Sequence, residues 1–207
     1  SFVGALFHAR MPAMNWDESL FFAINALAGQ APLRDQFFLS VGSFGTFYVP
    51  IVLAVGYWIW SDWREAVIGG LTLAGVVGSI DFLGGQLKWF VERVRPCRAL
   101  SQAVTLEPGG CGGMYSFPSN HAMNTVAAAA FLQVLYPRSG WVSWPLVALV
   151  GFSRIYVGAH YVSDIVGSWV LGGLSGAFVA WLLLQWPQFR QRVLPSMVSA
   201  QANSAAP

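Results

Sequence analysis

The chain of 207 residues is 56% hydrophobic and 15% aromatic, yet only 10% charged, with a net charge of +2 and a mean hydropathy of +0.55. A soluble domain carries about 25% charged residues, so this chain lacks the charge to wet its whole surface. The figures exclude a disordered chain, a basic nucleic-acid-binding module and a coiled coil, and leave an integral membrane protein, which the stretches below make all-α.

Residues 18–28 are long enough for an interfacial or re-entrant helix but not for a span. Arg10 interrupts the start, so it does not read as a signal peptide, and His8 reads as incidental. Five apolar stretches then follow, at 37–60, 66–90, 122–136, 141–156 and 165–186. Helices satisfy their backbone internally, which is what hydrocarbon demands. The expectation is therefore a bundle of five transmembrane helices plus an N-terminal interfacial helix. Trp16, Trp58, Trp60, Trp63, Trp89, Trp141, Trp144 and Trp186 fall near the ends of these stretches, like an aromatic belt. Gly70, Ala74 and Gly78, and again Gly172 and Gly176, recur at four-residue spacing and predict close helix packing. Residues 1–194 read as one domain and 195–207 as a flexible, polar tail.

With five spans, the N-terminus and the loops at 91–117 and 157–163 share one side. Three polar clusters lie there. Lys88 and Arg95 are seven apart, so a continuing helix puts both on one face, with Pro96 marking its end. Pro118-Ser119-Asn120-His121 precedes an Ala-rich stretch. Ser119 there is a natural N-cap, and the free N–H groups behind it attract an anion. Ser153-Arg154 is followed by His160 and Asp164, whose spacing lets the carboxylate hold one imidazole nitrogen. A lone cation near a span end is usually a snorkelling anchor; convergence argues otherwise. Lys88, Arg95, Arg154 and Ser119 describe a pocket for a dianionic phosphate, and two histidines within it describe a nucleophile and an acid. A metal site built from His121, His160 and Asp164 reads less well, because three nearby cations repel a divalent ion. No metal and no cofactor are expected.

The three clusters together resemble the signature of the type 2 phosphatidic acid phosphatase family, K-x6-R-P, P-S-G-H and S-R-x5-H-x3-D. They match at Lys88–Pro96, Pro118–His121 and Ser153–Asp164, in family order across 77 residues. One position departs: Asn120 stands where the family has Gly. The resemblance implies that His160 attacks phosphorus, Asp164 orients it, and His121 protonates the leaving oxygen and then activates water. Lys88, Arg95, Ser119, the Asn120 N–H and Arg154 would hold the phosphoryl oxygens. Soluble relatives include vanadium-dependent haloperoxidases, which the charge-poor composition disfavours. The implied substrate is a lipid phosphate or diphosphate, with undecaprenyl diphosphate or another bacterial envelope lipid (phosphatidylglycerophosphate, a lipid A phosphate) as first choice. A lipid phosphotransferase with the same site is the alternative. An anion or lipid transporter would not need His160 and Asp164 at this spacing. The bilayer and its lipid are the expected partners, and nothing in the sequence speaks to oligomeric state.

Cys97 and Cys111 lie in the loop beside the site. They are free thiols if that loop is cytoplasmic, and a disulfide closing about 15 residues if it is not. Family members face their site away from the cytoplasm, which places the protein in the bacterial inner membrane with a periplasmic or outer-face site. Setting Lys88, Arg95 and Arg154 aside leaves four basic residues on each side, so charge does not oppose this orientation. Gly109, Gly110, Gly112 and Gly113 fit either a mobile lid or a plain surface loop. Asp81 sits inside a span, seven residues before Lys88 and so on its face, and is expected to pair with a cation or polarise the site.

Overall fold

The computed structural model, which describes residues 15–107 and 110–193, starts with helix α1 (Trp16–Asn25). His8, Arg10, Gly109 and the 195–207 tail lie outside the described residues. Asn15 and Glu18 cap α1 reciprocally: the Glu18 N–H donates to Asn15 Oδ1 at 2.9 Å and the Asn15 N–H to Glu18 Oε2 at 3.2 Å.

The uncharged stretch 37–60 is not one helix. α2 (Pro32–Val41) and α3 (Phe44–Ser61) meet at a 48° bend. Gly42 and Ser43 form the break, a residue pair that often kinks helices. Gly42 has a second reason to be there, because a Cβ on it would stand 2.4 Å from Arg154 Nη1. α4 (Trp63–Val91) begins at Asp62, whose carboxylate accepts the Arg64 and Glu65 N–H groups at 3.0 Å each. It ends at Glu92, which turns left-handed with φ 52°. Arg95 therefore lies beyond the helix, and the one-face expectation for Lys88 and Arg95 fails. Pro96 opens a short helix, α5 (Pro96–Ala99), rather than closing a long one.

α6 (Asn120–Leu135), a 3₁₀ turn (Pro137–Ser139), α7 (Gly140–Tyr156), α8 (Val162–Leu184) and α9 (Pro187–Val193) complete the described chain. Among the described residues, α4 and α8 are each long and apolar enough to cross a membrane, and α2–α3 makes a third if the bent pair is one span. α6 and α7 have 16 and 17 residues, so each rises about 25 Å against hydrocarbon of about 30 Å. By length and composition, two or three of the five expected spans are met among the described residues.

α6 and α8 form the centre. A Cβ on Gly172 would stand 2.3 Å from the Met123 carbonyl, and one on Gly176 would stand 2.1 Å from that of Ala127. The two backbones touch there, as the small-residue spacing predicts. The matching stripe on α4 behaves differently, since nothing lies within 4 Å of a Cβ on Gly70 or Gly78. α4 packs instead through Gly69, against Trp58, and Gly84, against Met123 and Asn120. The outward surface is apolar: Leu53, Leu71, Phe82, Leu174 and Phe178 are all exposed on α3, α4 and α8, which calls for lipid rather than water. Trp60, Trp63, Trp89 and Trp141 are exposed at helix ends.

The bundle has two distinct ends. At one, side chains of α1, the segment after α4 and the start of α8 bond to one another. At the other, Arg192 of α9 reaches Asp62 at 2.8 Å, and Tyr136 donates to Glu65. The three polar clusters all lie at the first end.

Candidate active site

His160 lies in the turn between α7 and α8, not on a helix, and is 2% exposed. Its main-chain N–H donates to the Arg154 carbonyl at 3.2 Å, so the third cluster folds back on itself. Asp164, in the first turn of α8, is fully buried. Its Oδ2 accepts the Tyr161 N–H at 2.9 Å and stands 3.8 Å from His160 Nδ1. Its Oδ1 accepts Arg93 Nη1 at 2.6 Å. The two residues are thus neighbours across a helix start. Nδ1 has no closer partner in its buried setting, which leaves Nε2 as the nitrogen free for chemistry.

Burial pushes the His160 imidazole down to about 3, with Asp164 opposing and Arg95 and Arg154 reinforcing the shift. Arg93 pairs with Asp164 on the far side, so the carboxylate opposes the effect of burial on His160 without overcoming it. His160 is accordingly neutral at physiological pH, the state that carries a nucleophilic lone pair.

Arg95 is the electrostatic centre. It interacts with Lys88, His121, Arg154, His160 and Asp164. Burial lowers its own affinity for a proton, Asp164 opposing, yet a guanidinium remains charged. Its Nε donates to the Tyr115 carbonyl at 3.2 Å, and Lys88 Nζ donates to the Pro118 carbonyl. Arg154, 5% exposed, pairs with Glu107. Its guanidinium also lies against Gly42, and His121 makes a hydrogen bond to the Gly42 backbone. The α2–α3 bend is therefore a wall of the site, between Arg154 and His121. Beside it lies a cleft of about 470 Å³ lined by Gln36, Ser40, Ser43, Thr46, Glu107 and Arg154.

Ser119 is the N-cap residue of α6, but its hydroxyl makes no capping bond and is buried without a partner. The expected side-chain cap is absent, and Ser119 is held by its main chain, whose N–H donates to Ser168 Oγ at 2.8 Å. The Asn120 amide turns away to α4, donating to Asp81 Oδ1 at 3.0 Å, and the Asn124 amide does the same at 2.8 Å. Asp81 thus bonds two amides, while its charge still acts on Lys88 and His121. Asn120, where the resembling family has Gly, is used as a tether between α4 and α6.

Cys97 and Cys111 are joined as a disulfide with Cα atoms 6.1 Å apart. Around it the loop is fastened by an isolated bridge between Val94 and Tyr115, by the Ser116 N–H on the Arg93 carbonyl at 2.7 Å, and by Arg98 Nη2 on the Gly112 carbonyl at 2.8 Å. The glycines serve this clasp: Gly110 and Gly112 take φ of +94° and +66°. Among the described residues no three His, Cys, Asp or Glu side chains gather as a metal's ligands would.

Sequence reasoning missed Arg93, Asp17, Glu107, Gly42 and Ser168. Arg93 had a signal, standing two residues from Arg95 in the same loop, but counts there as a topology charge. Asp17 and Glu107 had none, because their partners are 76 and 47 residues away.

Residues 66–192 match the family model described as the PAP2 superfamily. The chain is 28% identical over 172 residues to a lipid A 4'-phosphatase of Porphyromonas gingivalis, covering 79% of this chain and 71% of that one. It is 32% identical over 171 residues to an undecaprenyl-diphosphatase of Bacillus subtilis, covering 79% and 81%. Among solved structures, the phosphatidylglycerolphosphate phosphatase of Bacillus subtilis superposes with a TM-score of 0.62 at 25% identity over 86% of this chain and 90% of that one. Aquifex aeolicus LpxE gives 0.64 at 23% identity, over 81% and 96%, a likeness of fold.

Proposed function

The chain belongs to the PAP2 superfamily, and from that premise we propose that it is a lipid phosphate or diphosphate hydrolase working through a phosphohistidine on His160. Nε2 attacks phosphorus; the P–O bond to the lipid breaks as the N–P bond forms, and the leaving oxygen takes a proton from His121. His121 then accepts a proton from water, whose oxygen attacks phosphorus and expels Nε2, releasing inorganic phosphate. Lys88, Arg95, Arg154, Ser119 and the Asn120 N–H bind the phosphoryl oxygens whose charge grows in the transition state. Asp164 offsets the charge His160 gains when it is phosphorylated. No metal or cofactor takes part.

One observation carries this reading: a buried His160 with Nδ1 turned to a buried carboxylate, within reach of the Arg95 and Arg154 charges. A transporter has no use for that arrangement. The substrate is an envelope lipid, undecaprenyl diphosphate first, with phosphatidylglycerophosphate and lipid A phosphate next. α2–α3, α4, α6, α7 and α8 cross the bilayer, α6 and α7 with ends in the interface. The Cys97–Cys111 disulfide belongs to an oxidising compartment, which supports a site on the periplasmic or outer face.

The test is phosphate release from a panel of diphosphate and monophosphate lipids, with and without EDTA. Wild-type turnover is expected to survive EDTA, and His160→Ala and His121→Ala are each expected to abolish it. Near-wild-type release by either variant overturns the role given to that residue.

A further inference from the structure

Arg93 and Arg95 stand two residues apart in one loop, yet their side chains do different things. Every Arg93 donor group that bonds is spent on protein. Nη1 donates to Asp164 Oδ1 at 2.6 Å and to Ser163 Oγ at 2.7 Å, and Nη2 donates to Asp17 Oδ2 at 2.6 Å. The guanidinium lies over the Tyr161 ring, 4.1 Å from its centroid. Its main chain is fixed as well, since the Arg93 carbonyl accepts both the N–H and the hydroxyl of Ser116. A planar, five-donor fork suits this bridging, and an ammonium cannot copy it.

Asp17 completes the frame. It is 4% exposed and comes from α1, far away in sequence. Its Oδ1 accepts the Ser163 N–H at 3.0 Å, and its Oδ2 accepts Arg93 and the Ser163 hydroxyl. The start of α8 is thus capped by a carboxylate of the first helix, placed where a helix N-terminus favours negative charge. The next residue in α8 is Asp164.

We propose that Arg93 and Asp17 are positioning residues that hold Asp164, and through it His160, in register for attack on phosphorus. The inference rests on the His160–Asp164 reading above. Asp164 is fully buried and close to His160 without a hydrogen bond between them at 3.8 Å. Its oxygens are aimed by Arg93 on one side and the Tyr161 N–H on the other. Without Arg93, the carboxylate loses the strongest of the two restraints and is free to rotate or recruit water. Misplacement on that scale slows a chemical step by orders of magnitude without altering how substrate is held. α1 thereby becomes part of the catalytic frame rather than a surface attachment.

The experiment measures kcat and KM for a lipid phosphate in full-length protein in detergent, per monodisperse folded molecule. The set is wild type, Asp164→Asn, Arg93→Met, Arg93→Lys, Asp17→Asn and the double variant R93M/D164N. R93M is expected to lower kcat by about tenfold or more with KM within about twofold, and R93K to recover part of the loss. Asp17→Asn lowers kcat in the same sense but less. R93M/D164N is expected to be no slower than D164N alone, because both changes remove one arrangement. A loss dominated by KM makes Arg93 a phosphate ligand and overturns the proposal, as does an additive loss in the double variant. If R93M does not fold, Asp17→Asn decides: unchanged kcat overturns the proposal. Full activity in D164N refutes the His160–Asp164 reading itself, an outcome separate from failure of the Arg93 variants alone.

Discussion

At the scale of single residues, the site is governed by where charge is compensated. His160 is depressed to about 3 against an ordinary imidazole near 6.5. The sign follows directly. Above pH 6.5 neither the folded nor the unfolded chain protonates this residue, and it contributes nothing to pH dependence. Below 6.5 the unfolded chain binds a proton that the folded chain refuses, so stability falls as the pH drops towards the folded value. Each unit is worth about 1.4 kcal/mol, so about 2 kcal/mol is lost by pH 5. The apparent melting temperature of wild type should therefore fall further between pH 7 and pH 5 than that of His160→Gln. Equal falls would show that His160 is not held neutral. Some of this was legible in the sequence. The identities Lys88, Arg95, Ser119, His121, Arg154, His160 and Asp164 come from three short clusters, grouped by the one side that the apolar stretches give them and by the family pattern they resemble. How each is held was not legible. Glu92 turns left-handed and takes Arg95 off its helix, and Ser119 is tied by its main chain to Ser168 while its hydroxyl caps nothing. These are decided by partners that local patterns do not contain.

At the scale of elements, α6 and α8 set the frame. Both begin at the site, α6 carrying Asn120 and His121 and α8 carrying Asp164. Gly172 and Gly176 let them meet backbone to backbone two and more turns below it. Carbonyls cannot yield as a side-chain end can, so Gly176→Ala or Gly172→Ala should destabilise the protein by about 2 kcal/mol or more. Gly70→Ala and Gly78→Ala meet nothing within 4 Å and should be neutral or slightly stabilising through helix propensity. Thermal melting in detergent separates the two pairs, and equal effects would refute the packing argument. The same four-residue spacing thus means contact on one helix and a free surface on another. Sequence periodicity marks the stripe; only the neighbouring helix gives it meaning. The break at Gly42–Ser43 is a similar case. A charge-free stretch reads as one span, but the guanidinium of Arg154, more than 100 residues on, occupies the room beside Gly42.

At the scale of the whole molecule, the division into a polar end and an apolar girth follows from so few charges. Arg192 with Asp62 fastens the far end, while Asp17, Arg93 and Asp164 fasten the near one. Lys88 and Arg95, by contrast, lean on the carbonyls of Pro118 and Tyr115. A carbonyl steadies a cation but cancels none of its charge. Folding therefore gathers like charges that the unfolded chain keeps apart, and their repulsion opposes folding. A dianion that binds only the folded form relieves it. By mass action, inorganic phosphate at 100 times its Kd would add about 2.7 kcal/mol to stability. The melting temperature should rise with phosphate at fixed ionic strength, and Lys88→Ala should blunt the rise; a flat response in wild type would show that these cations do not form a phosphate site. The product of the reaction is in this sense a folding ligand, and the protein's endurance is tied to the anion it sets free.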